Sequence, residues 1–292
     1  MAEIATPRAD RDRFADDVNG VWKEAMEQLL SYRYFGTQSV LETREKSTGT
    51  MPVRSDMRAG PDALADGLLL APVAIGMLDA AGNMIDRHYQ LGLTQVDIHG
   101  FDGAPRARRV EFQSGWVREA RTQSFTDTII TDKADGRLIG YGSANWAVIN
   151  PTPPGFVYTD PGAGPKDEPP MPPLWKVFEA ERVGHARFSI KGLSPRLGTD
   201  TLHHGPILVV MEQAALEIAR QHAGQSAIVP TTLSCRIVRA GRKGPFTIAA
   251  EKLSLTGNLL SCLGEFRDEG RRGEIVATML WQARLENEGE SS

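Results

Sequence analysis

The sequence predicts an α+β protein made of two copies of one unit, each an antiparallel sheet around a long central helix. Three observations carry this. Two long apolar helix-like runs lie ~133 residues apart, each is followed by four strand-like stretches, and a proline-rich connector separates the two sets. The length agrees, because 292 residues exceed the ~100–200 of an ordinary single domain.

The chain opens on a charged amphipathic segment, residues 10–33, that reads as a helix packed on the first sheet. Its polar face mixes both charge signs, unlike a basic membrane-seeking helix. A strand-like stretch near Thr50–Met57 follows, then the helix Ala71–Ile85, apolar on nearly every face as an enclosed helix must be. β-Branched and aromatic enrichment marks strands at Leu93–Ile98, Arg109–Arg118, Gln123–Thr131 and Leu138–Ile149. Nine of the eighteen prolines then fall between Pro151 and Pro173, a stretch that can neither continue a helix nor supply the donors of a central strand. Beyond it the order repeats: Ala186–Ile190, a helix from Pro206 to about His222, then Thr231–Val238, Phe246–Leu255, Leu259–Arg267 and Ile275–Leu285. Trp146 and Trp281 hold matching places in the two last strands. The expected boundaries are an N-terminal helical extension over 1–34, a first domain over 35–150, a linker over 151–174, a second domain over 175–287 and a disordered tail over 288–292.

Composition excludes several classes. Hydrophobic residues at 41% and charged residues at 24% are those of a soluble globular protein, and a net charge of −4 does not suit a nucleic-acid partner. The longest run without charge or a strong polar group, Gly67–Leu78, is too short for a ~20-residue membrane span, and the N-terminus lacks a signal-peptide core. Cys235 and Cys262 alone build neither a disulfide framework nor a four-cysteine zinc site. His99, His185 and His222 have no metal-ligand spacing, and Gly140-Tyr-Gly142 lies in a strand pattern rather than a phosphate loop. A cytoplasmic enzyme without metal is expected.

The chemistry concentrates in the two helices. Asp79 is the only charged residue between Asp66 and Asp86, and Glu212 shares a stripe with Leu208, Met211, Ala215 and Ala219, whereas Glu217 falls on the other, solvated side. Burial makes such a carboxylate costly to ionise and raises its pKa, which suits a general base or nucleophile. Before the second helix stands Thr201-Leu202-His203-His204-Gly205, leading into Pro206, a favoured first helical residue. Backbone N–H groups there can stabilise negative charge on a carbonyl oxygen, and glycine admits the acyl group.

This arrangement resembles tandem hotdog proteins, and the spacing of nine from His203 to Glu212 resembles hydroxybenzoyl-CoA and phenylacetyl-CoA type thioesterases. The resemblance implies two hotdog domains, each a curved antiparallel sheet wrapped around a long central helix. It implies that they pair as a pseudo-dimer with acyl-CoA bound at the seam, without a cofactor beyond the coenzyme A of the substrate. It departs from that family at His204, which replaces the middle glycine of a His-Gly-Gly turn, and at Leu197, where many members carry Asn or Gln. In the first repeat, aligned on the carboxylates, Leu70-Ala71-Pro72 replaces the turn. In paired units of this type the carboxylate of one unit faces the helix N-terminus of the other. Asp79 is therefore expected to meet His203–Gly205, making one competent site, while Glu212 faces the degraded turn. Aligning instead on Pro72 and Pro206 places the two carboxylates ~100° apart around the helix.

Further candidates are substrate-binding ones. Thr94, Thr231 and Thr232 begin strands where relatives carry a hydroxyl near the reacting water, and His204 lines the turn. Arg106 and Arg109 with Arg239 and Arg242 can meet coenzyme A phosphates, or are solvated loop charges. The expected function is acyl-CoA thioester hydrolysis. The alternatives are a hotdog dehydratase or hydratase, which needs an acid–histidine pair such as Asp79 with His203, and a non-catalytic acyl-CoA-binding or scaffold protein. A homodimer of the tandem unit is possible on the same grounds.

Overall fold

The computed structural model describes residues 28–60, 67–85, 89–100, 107–152 and 162–286. Two helices dominate it: α1, Leu70–Ile85, and α2, His204–Ala223. Every residue of α1 except Gly82 is buried, so the helix has no solvent face and needs protein on all sides. Strands supply that enclosure. The first half contributes β1 Gln38–Thr43, β2 Lys46–Pro52, β3 Tyr89–Gly100, β4 Arg109–Glu119, β5 Gln123–Asp132 and β6 Leu138–Pro151. The second contributes β7 Ala180–Gly184, β8 Arg187–Ile190, β9 Ala227–Ile237, β10 Phe246–Thr256, β11 Leu259–Asp268 and β12 Glu274–Glu286.

Their order, β1-β2-β4-β5-β6-β3-β9-β12-β11-β10-β8-β7, is a palindrome of one six-stranded pattern. All neighbours run antiparallel, and β3 pairs β9 at the centre. A shared irregularity shows the duplication at the level of single residues. Thr94 sits at a bulge in β3 and donates to the Asn145 carbonyl at 2.9 Å; Thr231 sits at a bulge in β9 and donates to the Gln282 carbonyl at 3.3 Å. Both bonds span 51 residues. An offset of 137 residues, the one that carries Thr94 onto Thr231, also carries Asp97 onto Ser234, and these two pair across the β3–β9 seam.

The helices pack against the strands, and close approach there has its own demands. A Cβ on Gly76 would stand 2.7 Å from Phe112 Cζ and 3.1 Å from Met51 Sδ. Gly76→Ala should therefore lower stability by about 1–3 kcal/mol through overpacking, partly offset by alanine's better helix propensity. Thermal unfolding measures it; a stabilised variant would show that β4 yields freely.

Several sequence expectations need correction. The stretch near Thr50–Met57 is the end of β2 followed by a 3-10 turn at Ser55–Met57, and β1, β2 and β7 lack the apolar alternation of half-buried strands. These strands lie at or beside the open edges of the sheet, and they turn few apolar side chains inward: β2 buries Ser47, Gly49 and Met51, and β7 buries Ala180. Within the expected extension only Leu30–Arg33 is a described helix; residues 10–27 fall outside the described residues. So do 153–161 of the connector and the tail 288–292. Glu217 is not solvated: it is 9% exposed, accepts the Ala186 N–H at 2.7 Å and pairs with Arg182 at 3.0 Å.

Candidate functional site

Each central helix ends its first turn at the seam between the halves, but the two ends are finished differently. At α1 the Leu70 and Ala71 N–H groups have no intrahelical acceptor, as at any helix start. Glu212, from the middle of α2, supplies one: Oε1 accepts Leu70 N at 2.9 Å and Oε2 accepts Ala71 N at 2.6 Å. Trp281 of β12 adds its indole N–H to Oε1 at 2.9 Å. Burial pushes the Glu212 carboxyl up to about 7, against the lowering effect of these three donors. A carboxylate and a helix N-terminus from opposite halves are thus brought into direct contact.

The second helix start lacks this arrangement. Leu202 N donates to the Gly241 carbonyl and His203 N to the Leu197 carbonyl, which fixes the turn into α2. His203 is the N-cap residue but its side chain makes no capping bond. Its ring lies 3.8 Å from that of His204 and 5.0 Å from that of Tyr32, centre to centre. Burial pushes His203 down to about 4 and His204 well below its ordinary value, so both imidazoles are neutral at pH 7. Gly205 is required here, because a Cβ would stand 2.1 Å from Ser31 Oγ and 2.8 Å from Ser31 Cβ.

Asp79 is also buried, at 1% exposed. Its register on the helix differs from that of Glu212, and the helix starts show why. Proline is the third residue of each helix, Pro72 and Pro206, so the counterpart of Glu212 is Leu78, not Asp79. Asp79 is one position further, ~100° around the helix. The tryptophans confirm the inequivalence, since Trp281 donates to Glu212 while Trp146 donates to Thr126 Oγ1 at 3.1 Å. Glu212, by contrast, faces the first helix start as the family resemblance implied.

The remaining candidates separate. The Thr94 and Thr231 hydroxyls are spent on their bulges, and Thr232 sits opposite His99 in the seam ladder. Arg109 reaches Thr50 Oγ1 at 3.5 Å on the exposed surface, Arg239 pairs with Glu274 at 3.0 Å, and Arg106 lies outside the described residues. Arg242 lends only its backbone to the observed contacts, joining Lys243 and Gly244 in donating N–H groups to the buried Asp268 carboxylate. Each basic loop stands by the helix start of its own half: Arg58 bonds the Ala107 carbonyl before α1, and Leu202 bonds Gly241 before α2. The Leu70 and Ala71 donors were hidden from sequence reasoning because they are backbone. The Trp146/Trp281 repeat was the one visible pointer to Trp281.

Residues 199–275, covering α2 through β11, match the family model of the thioesterase superfamily. No curated protein matches the chain. Among solved structures, a putative thioesterase from Novosphingobium aromaticivorans is 16% identical with a TM-score of 0.58, covering 85% of this chain and 98% of its own. The tesB protein of Mycobacterium avium subs paratuberculosis is 16% identical at TM-score 0.55, covering 93% and 100%. The 12:0-ACP thioesterase of Umbellularia californica is 11% identical at TM-score 0.57, covering 82% and 94%. At these identities the likeness shows the fold, which is the hotdog fold. The resemblance to hotdog thioesterases read in the sequence therefore holds, carried by the superfamily match in the second half and by the fold along most of the chain. No helix of the described residues is long and apolar enough to cross a membrane.

Proposed function

We propose that the chain is a thioester hydrolase acting on an acyl-CoA, with residues 35–150 and 175–287 as two hotdog units paired as a pseudo-dimer and Glu212 as its general base. The observation that carries this reading is the Glu212 carboxylate set against the Leu70 and Ala71 N–H groups across the seam. A thioester carbonyl oxygen entering there takes over the Ala71 N–H, which frees Oε2 while Trp281 still holds Oε1. Oε2 then accepts a proton from water as the hydroxide oxygen bonds to the carbonyl carbon. The oxyanion is held by the Ala71 N–H at the positive end of α1, a donor worth about 3 kcal/mol to such a transition state. Collapse breaks the carbon–sulfur bond, and the proton on Glu212 passes to the thiolate, leaving acid and free thiol. Nothing in this cycle calls for a cofactor or metal. Arg108 and Arg109, exposed in the loop that Arg58 ties down through the Ala107 carbonyl, would attract the phosphates of coenzyme A.

One observation favours a second reading, a non-catalytic acyl-binding protein: Glu212 itself occupies the donors that an oxyanion needs. Assaying acyl-CoA and acyl-ACP panels for free thiol separates the possibilities. Thiol release from coenzyme A esters is expected. Hydration of an enoyl-CoA without thiol release would identify a hydratase, and binding without turnover a carrier or scaffold.

A further inference from the structure

The proline-rich connector does more than join the two halves. Its residues 162–168 lie across the first half, where Asp167 Oδ1 accepts the Ser55 N–H at 3.2 Å and the Ser55 hydroxyl at 2.7 Å. Gly164 passes close to the backbone there. A Cβ on it would stand 2.8 Å from the Tyr34 carbonyl oxygen and 3.1 Å from Gly36 N. Its φ is +70°, so close approach and backbone conformation both call for glycine.

The second half repeats the surface that the connector covers. The short helix Leu174–Val177 ends with the Phe178 N–H on the Leu174 carbonyl, as Leu30–Arg33 ends with the Tyr34 N–H on the Leu30 carbonyl, 144 residues earlier in each case. After β8 the Leu197 N–H bonds the Ser194 carbonyl, as after β2 the Met57 N–H bonds the Arg54 carbonyl. Between these matched features lies a groove of about 860 Å³, bounded by Trp175, Lys176, Glu179, Ala180, Leu193 and Ser194. Among the described residues it is open, whereas the connector crosses its counterpart.

In a twofold arrangement each contact occurs twice, with the roles of the partners exchanged. The segment leading into the Leu174 helix crosses onto the first half, so the segment leading into the Leu30 helix has its matching place on the second. The described chain begins beside that place: the Leu30 N–H bonds the Arg196 carbonyl at 3.0 Å, and Arg196 pairs with Glu179 of the groove at 3.4 Å. The offset of 144 carries Gly164 onto Gly20, the only glycine in the first 35 residues. Val18, Val21 and Trp22 flank it, and Trp175 and Leu193 offer half-buried apolar surface. Charge agrees as well, since residues 10–27 carry six acids against three bases and the groove is edged by Lys176, Arg182 and Lys191. We propose that residues 18–24 close the second-half groove as residues 162–168 cover the first, so that each half is strapped by the segment leading into the other. The strap holds the Leu30–Tyr34 segment, whose Ser31 stands against Gly205 at the α2 start. It presupposes the pseudo-dimer pairing proposed above, not hydrolysis.

Photocrosslinking of the full chain tests it. With Trp22→p-benzoylphenylalanine, irradiation should join position 22 to a peptide within residues 175–194 of the same chain, identified by mass spectrometry. Adding Gly20→Val should lower the yield of that crosslink by about tenfold, because a side chain there meets the Phe178 carbonyl as one on Gly164 would meet that of Tyr34. Ala15→Val, outside the matched stretch, should leave the yield unchanged. Crosslinks to β1 or β2 overturn the strap, and so do crosslinks between two chains, which would make a second copy the occupant. A groove crosslink that Gly20→Val leaves intact, or no crosslink, overturns it equally. Thiol release from acyl-CoA by the same proteins keeps the two readings apart. Turnover without the groove crosslink overturns only the strap, and the crosslink without turnover overturns only the hydrolase.

Discussion

Glu212→Gln is expected to lower hydrolytic turnover by about 10²–10⁴-fold at neutral pH, the usual contribution of a positioned general base. Glutamine keeps the size of the side chain and one carbonyl oxygen for Trp281, but it cannot take a proton from water. In the native protein kcat/KM should rise with pH to a plateau above about 7, where the carboxyl ionises. That limb should vanish from whatever residual activity the variant keeps. Asp79→Asn provides the contrast and should stay within about an order of magnitude of native turnover, since the register of α1 turns Asp79 ~100° away from the position that Glu212 holds on α2. The reverse pattern, with Asp79→Asn inactive and Glu212→Gln active, would move the reaction to the α2 start.

The contrast between these two carboxylates shows where sequence reasoning reaches its limit. The doubled pattern of helix and strands was legible because buried periodicity leaves an apolar record: α1 has no polar face to blur it, and β4, β5, β11 and β12 alternate over much of their length. The outer hairpins were not, because KSTGTMP and AERVG turn few apolar side chains inward and so carry little apolar signal. Pairing Asp79 with Glu212 followed residue type, whereas the prolines and helix starts follow geometry, and one residue of slip turns a side chain by ~100°. Sequence similarly placed Glu212 opposite Leu70–Pro72 but discounted that turn for lacking histidine and glycine. Two ordinary residues, Leu70 and Ala71, supply the donors through N–H groups common to every non-proline residue. Ser31 was invisible for another reason: its contact with Gly205 joins distant parts of the chain, and no local pattern records it.

A raised carboxyl also predicts an unusual stability profile. Glu212 has an ordinary value of 4.5 and reaches about 7 in the fold, so between those limits the folded state binds more protons than the unfolded state. Its contribution to stability is therefore fully present below pH 4.5 and is lost as pH rises through about 7. At 1.36 kcal/mol per unit the swing approaches about 3 kcal/mol. The buried histidines act in the opposite sense: His203, pushed down from 6.5 to about 4, adds stability that is present above 6.5 and lost as pH falls through about 4. His204 moves the same way. The native curve alone thus mixes opposing slopes, and the variant is needed to separate them. Urea unfolding of native protein and Glu212→Gln from pH 4.5 to 8 should show native stability falling relative to the variant by about 3 kcal/mol as pH rises. Above pH 7 the native charge keeps three donors satisfied, so the carboxylate remains tolerable but no longer favoured over glutamine by the proton it carried. Parallel curves would mean that Glu212 ionises normally in the fold, and with that the raised carboxyl on which neutral-pH base catalysis depends would be gone.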